Sequence, residues 1–141
     1  MDYVKSNRTT WDSWSEEYVN PGRRAWEDRT PRWGLWGAPE SDVGLLRNFN
    51  GGDTIELGCG TAYVSSWLAD LGGKPVGVDN SPAQLLTAAE LQREMGLKFP
   101  LIQCDAEKVP FANESFDFAI SEYGASIWCD PYRWIPEAAR I

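Results

Sequence analysis

The sequence predicts an α/β chain, a doubly wound and mainly parallel sheet beneath a helical N-terminal cap. Three observations predict it. Short apolar runs alternate with helical patterns from Asp53 onward. Successive runs are far enough apart for a crossover helix, which parallel strands require. Strong turn signals, Asn50-Gly51-Gly52 and Gly72-Gly73, punctuate the alternation.

Taken in order, the first 36 residues hold five of the eight tryptophans, Trp11, Trp14, Trp26, Trp33 and Trp36. Pro21-Gly22, Pro31 and Pro39 break this stretch into what reads as short helices and turns packed over another layer. Trp11, Trp14 and Tyr18 recur at helical spacing and predict a helix over 11–18. A second helix is predicted over 41–49, stopped by Asn50-Gly51-Gly52. Asp53 to Leu57 reads as a strand that enters Gly58-Cys59-Gly60. A helix then runs from about Ala62 to Leu71, with Val64, Trp67, Leu68 and Leu71 on one face. Pro75 to Asp79 is the second strand. The next helix starts at Ser81 as N-cap, with Pro82 at the first helical position and Gln84 at the capping-box position. Phe99 to Gln103 and Phe116 to Ser121 are the third and fourth strands, and a last helix spans 132–141.

Composition narrows the function. The 141 residues suffice for one domain with its own core, and 43% hydrophobic with 24% charged residues is ordinary for a globular protein. No run approaches the ~18 apolar residues of a membrane span, and the opening Met1 to Ser6 has no apolar signal region. Cys59, Cys104 and Cys129 lack paired spacing and read as reduced thiols. There is no histidine, so the commonest metal ligand and general base is missing. A net charge of −8 argues against a nucleic-acid partner. Arg23, Arg24, Arg29 and Arg32 are interrupted by Glu27 and Asp28 and read as a solvated mixed-charge face. The expectation is a cytoplasmic protein with a small-molecule partner, no nucleic acid, no membrane and no metal.

Ligands of doubly wound sheets sit beyond the carboxyl ends of the strands. The first strand ends in Glu56-Leu57-Gly58-Cys59-Gly60, where glycines allow a tight turn and close approach of a ligand to the backbone. The second ends in Asp79, 19 residues after Gly60, a spacing that lets a carboxylate accept from ribose hydroxyls. The third ends in Cys104-Asp105-Ala106. There Asp105 has the chemistry to accept from an adenine amino group and the Ala106 N–H to donate to a ring nitrogen. Each position has a plainer reading: Glu56 satisfied by backbone amides, Asp79 as a helix-start charge, Asp105 as an Asx-turn. A dinucleotide site also needs a third glycine where this chain has Tyr63, and Glu56 would repel a pyrophosphate. A sulfonium cation suits carboxylates and aromatic faces better.

The segments Ile55 to Thr61, Val76 to Ser81, Asp105 to Phe111 with Ser115-Phe116-Asp117, and Glu137 to Arg140 resemble the class I S-adenosylmethionine-dependent methyltransferases, nearest the methyltransferase type 11 group. The resemblance covers about residues 50–141 and implies a Rossmann-like core with strand order 3-2-1-4. It implies that Glu56, Gly58, Cys59 and Gly60 border the methionine moiety. Asp79 would hold the ribose, Asn80 flank the adenine, and Asp105 with Ala106 read the adenine edge. Ser121 would face the cofactor near the acceptor, and Trp11 and Tyr18 would belong to a lid helix. Ala62 stands where the family often has glycine.

On this reading residues 1–50 form a tryptophan-rich cap and 51–141 an S-adenosylmethionine-binding core, within one structural domain. The family sheet has seven strands and this chain supplies four, so the expectation is a truncated chain. Its exposed sheet edge would favour a homodimer. The implied function is methyl transfer to a small-molecule acceptor in the full-length form, with S-adenosylhomocysteine as product. The alternatives are an inactive module that binds either compound, and a nicotinamide-dependent oxidoreductase. Glu122, Tyr123 and Asp130 are the candidate proton acceptors, each with a simpler role as surface acid, core residue or helix cap.

Overall fold

The computed structural model describes residues 2–141; Met1 lies outside the described residues. The chain opens with a 26-residue helix, α1 (Tyr3–Asp28). The strands β1 (Arg32–Trp33) and β2 (Ala38–Pro39) form an antiparallel hairpin, followed by α2 (Glu40–Val43). The core alternates β3 (Gly52–Leu57), α3 (Tyr63–Asp70), β4 (Gly73–Asp79), α4 (Pro82–Met95), β5 (Leu101–Gln103), β6 (Phe118–Ile120), α5 (Gly124–Trp128) and α6 (Pro131–Arg140). The four core strands lie in the order β5-β4-β3-β6 with every pair parallel, the 3-2-1-4 arrangement.

β3 is the spine. Thr54, Ile55, Glu56 and Leu57 are all buried, as expected of a central strand covered on both faces. On one side Ile55, Leu57 and Val78 pack with Val109, Ala125 and Ile141. On the other, Val64, Trp67 and Leu68 of α3 pack with Trp33 and Leu46. A third cluster joins Trp26 of α1 to Leu85, Ala88 and Leu91 of α4 and to Phe99.

The N-terminal region departs most from the sequence reading. Pro21-Gly22 is no turn, because α1 runs straight through it. A proline inside a helix forfeits a backbone hydrogen bond, but tertiary contacts hold this one. A Cβ on Gly22 would stand 2.6 Å from the Thr61 hydroxyl, so the helix lies directly on the loop after β3. One turn later the Trp26 indole donates to the Thr61 carbonyl at 2.8 Å and stacks on Phe99. The helix expected over 41–49 shrinks to α2. It ends at Gly44, whose left-handed backbone caps it, and the Glu40 carboxylate ties down the chain beyond, one oxygen accepting from the Trp33 indole at 2.6 Å and the other from the Leu46 N–H at 2.6 Å.

Ser81 caps α4 by accepting from the Gln84 N–H at 3.2 Å, but the reciprocal half of the capping box is absent. The Ser81 N–H goes to Asp79 instead, at 2.8 Å. The short helix α5 had no counterpart in the sequence reading.

Candidate functional site

One cavity of about 610 Å³ opens beyond the carboxyl ends of β3, β4 and β5, within the ~300–1,000 Å³ typical of small-molecule sites. Its polar wall comes from the strand ends. The N–H groups of Gly58 and Cys59 both donate to the Val78 carbonyl at 2.9 Å, which folds the chain sharply after β3. Gly58 sits at φ 73°, and a Cβ there would be 2.6 Å from the Ala125 nitrogen. A Cβ on Gly124 would be 2.1 Å from the Gly58 carbonyl oxygen. Backbone therefore touches backbone where α5 meets the turn, and only glycine fits on either side.

Asp79 accepts from the Gly60 N–H at 2.7 Å with one oxygen and from the Ser81 N–H with the other. Burial raises its carboxyl above the ordinary range, and those amide bonds oppose the rise. Asn80 is tied to α1: its amide donates to the Val4 carbonyl at 2.7 Å, and its oxygen accepts from Arg8 at 2.9 Å. Asp12 of α1 accepts from the Ser81 hydroxyl at 2.5 Å and from the Ala83 N–H at 3.3 Å, placing a carboxylate at the start of α4. Asp105 accepts from the Glu107 N–H at 2.9 Å, the Asx-turn, and still lines the cavity. Beyond it Glu107 accepts from the Tyr3 hydroxyl, the Asp130 N–H and Arg133. Burial pushes Glu107 up, yet those bonds prevail and hold it below the usual carboxylate value.

The other wall is aromatic. Trp11 meets Tyr18 edge-on with ring centres 5.1 Å apart, and Trp128 of α5 at 5.2 Å. Tyr63, Leu35 at the hairpin tip, Tyr123 and Ile127 continue that wall. Tyr123 has φ 60° and ψ −47°, a conformation that is strained for a side-chain-bearing residue. Gly124 N–H closes the turn by donating to the Glu122 carbonyl at 2.7 Å. The Glu122 carboxylate accepts from the Gly34 N–H at 2.8 Å and so joins the hairpin tip to the loop after β6.

Of the eleven site residues expected from sequence, the cavity lining includes Gly58, Cys59, Gly60, Asp79, Asn80, Asp105, Ala106, Trp11 and Tyr18. It does not include Glu56 or Ser121. Glu56 is 1% exposed and accepts from the Ser65 N–H at 2.8 Å and the Ser65 hydroxyl at 2.6 Å. Strand alternation sends its side chain toward α3 rather than into the cavity, and burial pushes its carboxyl up to about 8. Ser121 donates to the Leu57 carbonyl at 2.7 Å and accepts from the Ser126 N–H at 3.2 Å, a structural tie between β3 and α5. Cys59 lines the cavity with its thiol held well above the ordinary value by burial.

Of the candidate proton acceptors, Glu122 and Tyr123 reach the cavity, and Asp130 caps α6 by accepting from the Tyr132 N–H at 2.9 Å. Gln84, Arg8, Leu35, Ile127 and Trp128 line the cavity without having been singled out as site residues. Gln84 carried a legible signal, because the third residue after an N-cap lies close to the preceding strand end. For Trp128 and Leu35 no local pattern marks the position.

A glycine turn, an acidic residue at the next strand end and another at the third all face one cavity on a 3-2-1-4 parallel sheet, at the strand ends where doubly wound sheets take their ligands. Residues 55–141 match the methyltransferase domain family, and the chain belongs to that family. It is 34% identical over 96 residues to the phosphatidylethanolamine N-methyltransferase of Cereibacter sphaeroides, covering 67% of this chain and 47% of that protein. It is 32% identical over 80 residues to a ubiquinone biosynthesis O-methyltransferase of Azorhizobium caulinodans, covering 57% of this chain and 32% of that one. The crystal structure of a SAM-dependent methyltransferase from Aquifex aeolicus shares the fold at a TM-score of 0.68 and 18% identity. The match covers 92% of this chain and 65% of that one. The match thus spans 32% and 47% of the length of these two curated relatives. No helix among the described residues is long and apolar enough to cross a membrane.

Proposed function

We propose that the chain is the cofactor-binding portion of an S-adenosyl-L-methionine-dependent methyltransferase that acts on a small-molecule acceptor. The observation that carries this reading is the placement of the Gly58–Gly60 turn, Asp79 and Asp105 at three adjacent strand ends on one cavity. The donor set fits the group. The glycine turn leaves room for the methionine end, and Asp79 accepts from ribose hydroxyls. Asn80 flanks the base, and Asp105 with Ala106 reads the adenine edge. Trp11 and Tyr18 close over it from α1. The Gln84 side-chain nitrogen is buried without a partner beside this wall, which leaves an amide for a polar ligand to satisfy.

S-adenosyl-L-methionine, when bound, would supply a methyl carbon on a sulfonium sulfur, open to in-line attack by a nucleophile with the neutral thioether S-adenosylhomocysteine as leaving group. The chain's own residues align the partners and exclude water, effects worth ~7–11 kcal/mol in favourable cases. The case against a dinucleotide changes its footing, because Glu56 faces α3 and repels nothing in the cavity. It rests on Tyr63 in place of a third glycine and on Asp79, Asp105 and Glu122 along the lining. Among the described lining residues Arg8 is the one cationic side chain, and its Nε donates to the Asn80 side-chain oxygen.

Isothermal titration with S-adenosylhomocysteine and with NAD tests the reading. The expected result is single-site binding of the first, none of the second, and at least tenfold weaker binding in Asp79→Ala, about 1.4 kcal/mol. Equal affinity for NAD, or an unchanged Asp79→Ala, contradicts it.

A further inference from the structure

The aromatic wall differs in chemistry from the strand-end wall and continues from Trp11 and Tyr18, over the cofactor, to Leu35, Tyr123 and Ile127 at the mouth. We propose that it binds the methyl acceptor, and that the acceptor is a flat apolar ring compound carrying no anionic group; this rests on the cofactor reading above. Three independent features of the cavity lead there.

The first is the mouth. Leu35 is 82% exposed, Ile127 58% and Tyr123 44%, and all three line the cavity. Apolar side chains left in water at a cavity rim are a recognition surface more often than an accident when they are contiguous with the lining.

The second is shape. Trp11 is held edge-on between Tyr18 and Trp128, with ring centres 5.1 and 5.2 Å away. Rings fixed in this way present flat faces and edges, which suit a planar guest better than a branched chain.

The third is charge. The ionisable side chains of the lining with acid character are Asp79, Asp105 and Glu122, against the single guanidinium of Arg8. Arg8 reaches Asn80 through its Nε, at the base-flanking end of the cavity, and Glu122 stands on the aromatic side, held by the hairpin tip. An anionic acceptor at the aromatic wall would enter against Glu122, and desolvation makes that repulsion stronger than in water.

Tyr123 is the residue the geometry marks most clearly. Its left-handed backbone is closed by a bond from Gly124 N–H, and Gly124 is pressed on Gly58. Held strain of this kind persists where the surroundings impose it. Here it turns a partly exposed tyrosine into the cavity lining between the cofactor turn and the mouth.

The probes are 2-naphthol, uncharged at neutral pH, and 2-naphthoate, the same ring bearing a carboxylate. Each is titrated into the chain saturated with S-adenosylhomocysteine. The expected result is that 2-naphthol binds at least tenfold more tightly than 2-naphthoate. Leu35→Asp, at a rim position too exposed to affect folding, weakens 2-naphthol at least fivefold while leaving S-adenosylhomocysteine affinity unchanged. Glu122→Gln, which keeps an acceptor for the Gly34 N–H, narrows the preference between the probes at least threefold. Equal binding of the two probes, no binding of 2-naphthol, or indifference to Leu35→Asp overturns the proposal while the cofactor reading stands. Failure of S-adenosylhomocysteine itself to bind overturns both.

Discussion

The two walls of the cavity are built by opposite means. The polar wall is local: Gly58–Gly60, Asp79 to Ser81 and Asp105-Ala106 each follow a strand directly, and their hydrogen bonds run mostly between neighbouring strand ends. The aromatic wall is assembled from afar. Trp11 and Tyr18 come from α1, Leu35 from the hairpin and Trp128 from α5, and the contacts that align them span most of the chain. A motif can specify the first. Only the packing of α1 along the core specifies the second, and that packing depends on a few anchors such as Trp26 on Thr61 and Asp12 on Ser81.

The sharpest way to break the contrast is to release α1. Trp26→Ala removes a 3%-exposed indole, its bond to Thr61 and its stack on Phe99. A loss of about 3–5 kcal/mol in denaturant unfolding is expected. A loss below about 1 kcal/mol, on the usual scale for surface changes, would mean that α1 is held elsewhere.

A subtler change separates stability of the polar wall from binding. Glu56 lies beneath that wall with its carboxyl raised to about 8 from an ordinary 4.5. Between those values the folded state keeps a proton that the unfolded chain has released, so stability falls as pH rises through this window, by up to about 1.4 kcal/mol per pH unit. Glu56→Gln flattens that slope, read as melting temperature against pH, and leaves S-adenosylhomocysteine affinity within twofold. A slope that persists, or a tenfold loss of affinity, would return Glu56 to the binding site.

The same contrast explains what was legible beforehand. The parallel sheet could be read because apolar runs, glycine stops and the Ser81-Pro82 start agree with one another, while its strand order came from the family resemblance. Strand-end positions such as Asp79 and Asp105 followed from the fold, since such sheets place ligands there. Glu56 misled because spacing locates a residue at a strand end but not the face its side chain takes; the Ser65 amide and hydroxyl decide that. Pro21-Gly22 misled because its turn signal is local while the force that straightens α1 is the close approach to Thr61. Trp128, Leu35 and the strained Tyr123 left no periodic trace, as their positions depend on contacts between segments far apart in sequence.

Amide chemical-shift mapping by NMR with S-adenosylhomocysteine tests the account most directly. The largest shifts are expected at Gly58 to Gly60, Asp79 to Ser81, and Asp105 with Ala106, with further shifts at Trp11 and Tyr18. The Ser65 amide, bonded to buried Glu56, stays nearly unmoved. Shifts centred on Ser65 and α3, or scattered with none at Asp79 and Asp105, would contradict the assignment of this cavity to an adenosyl ligand.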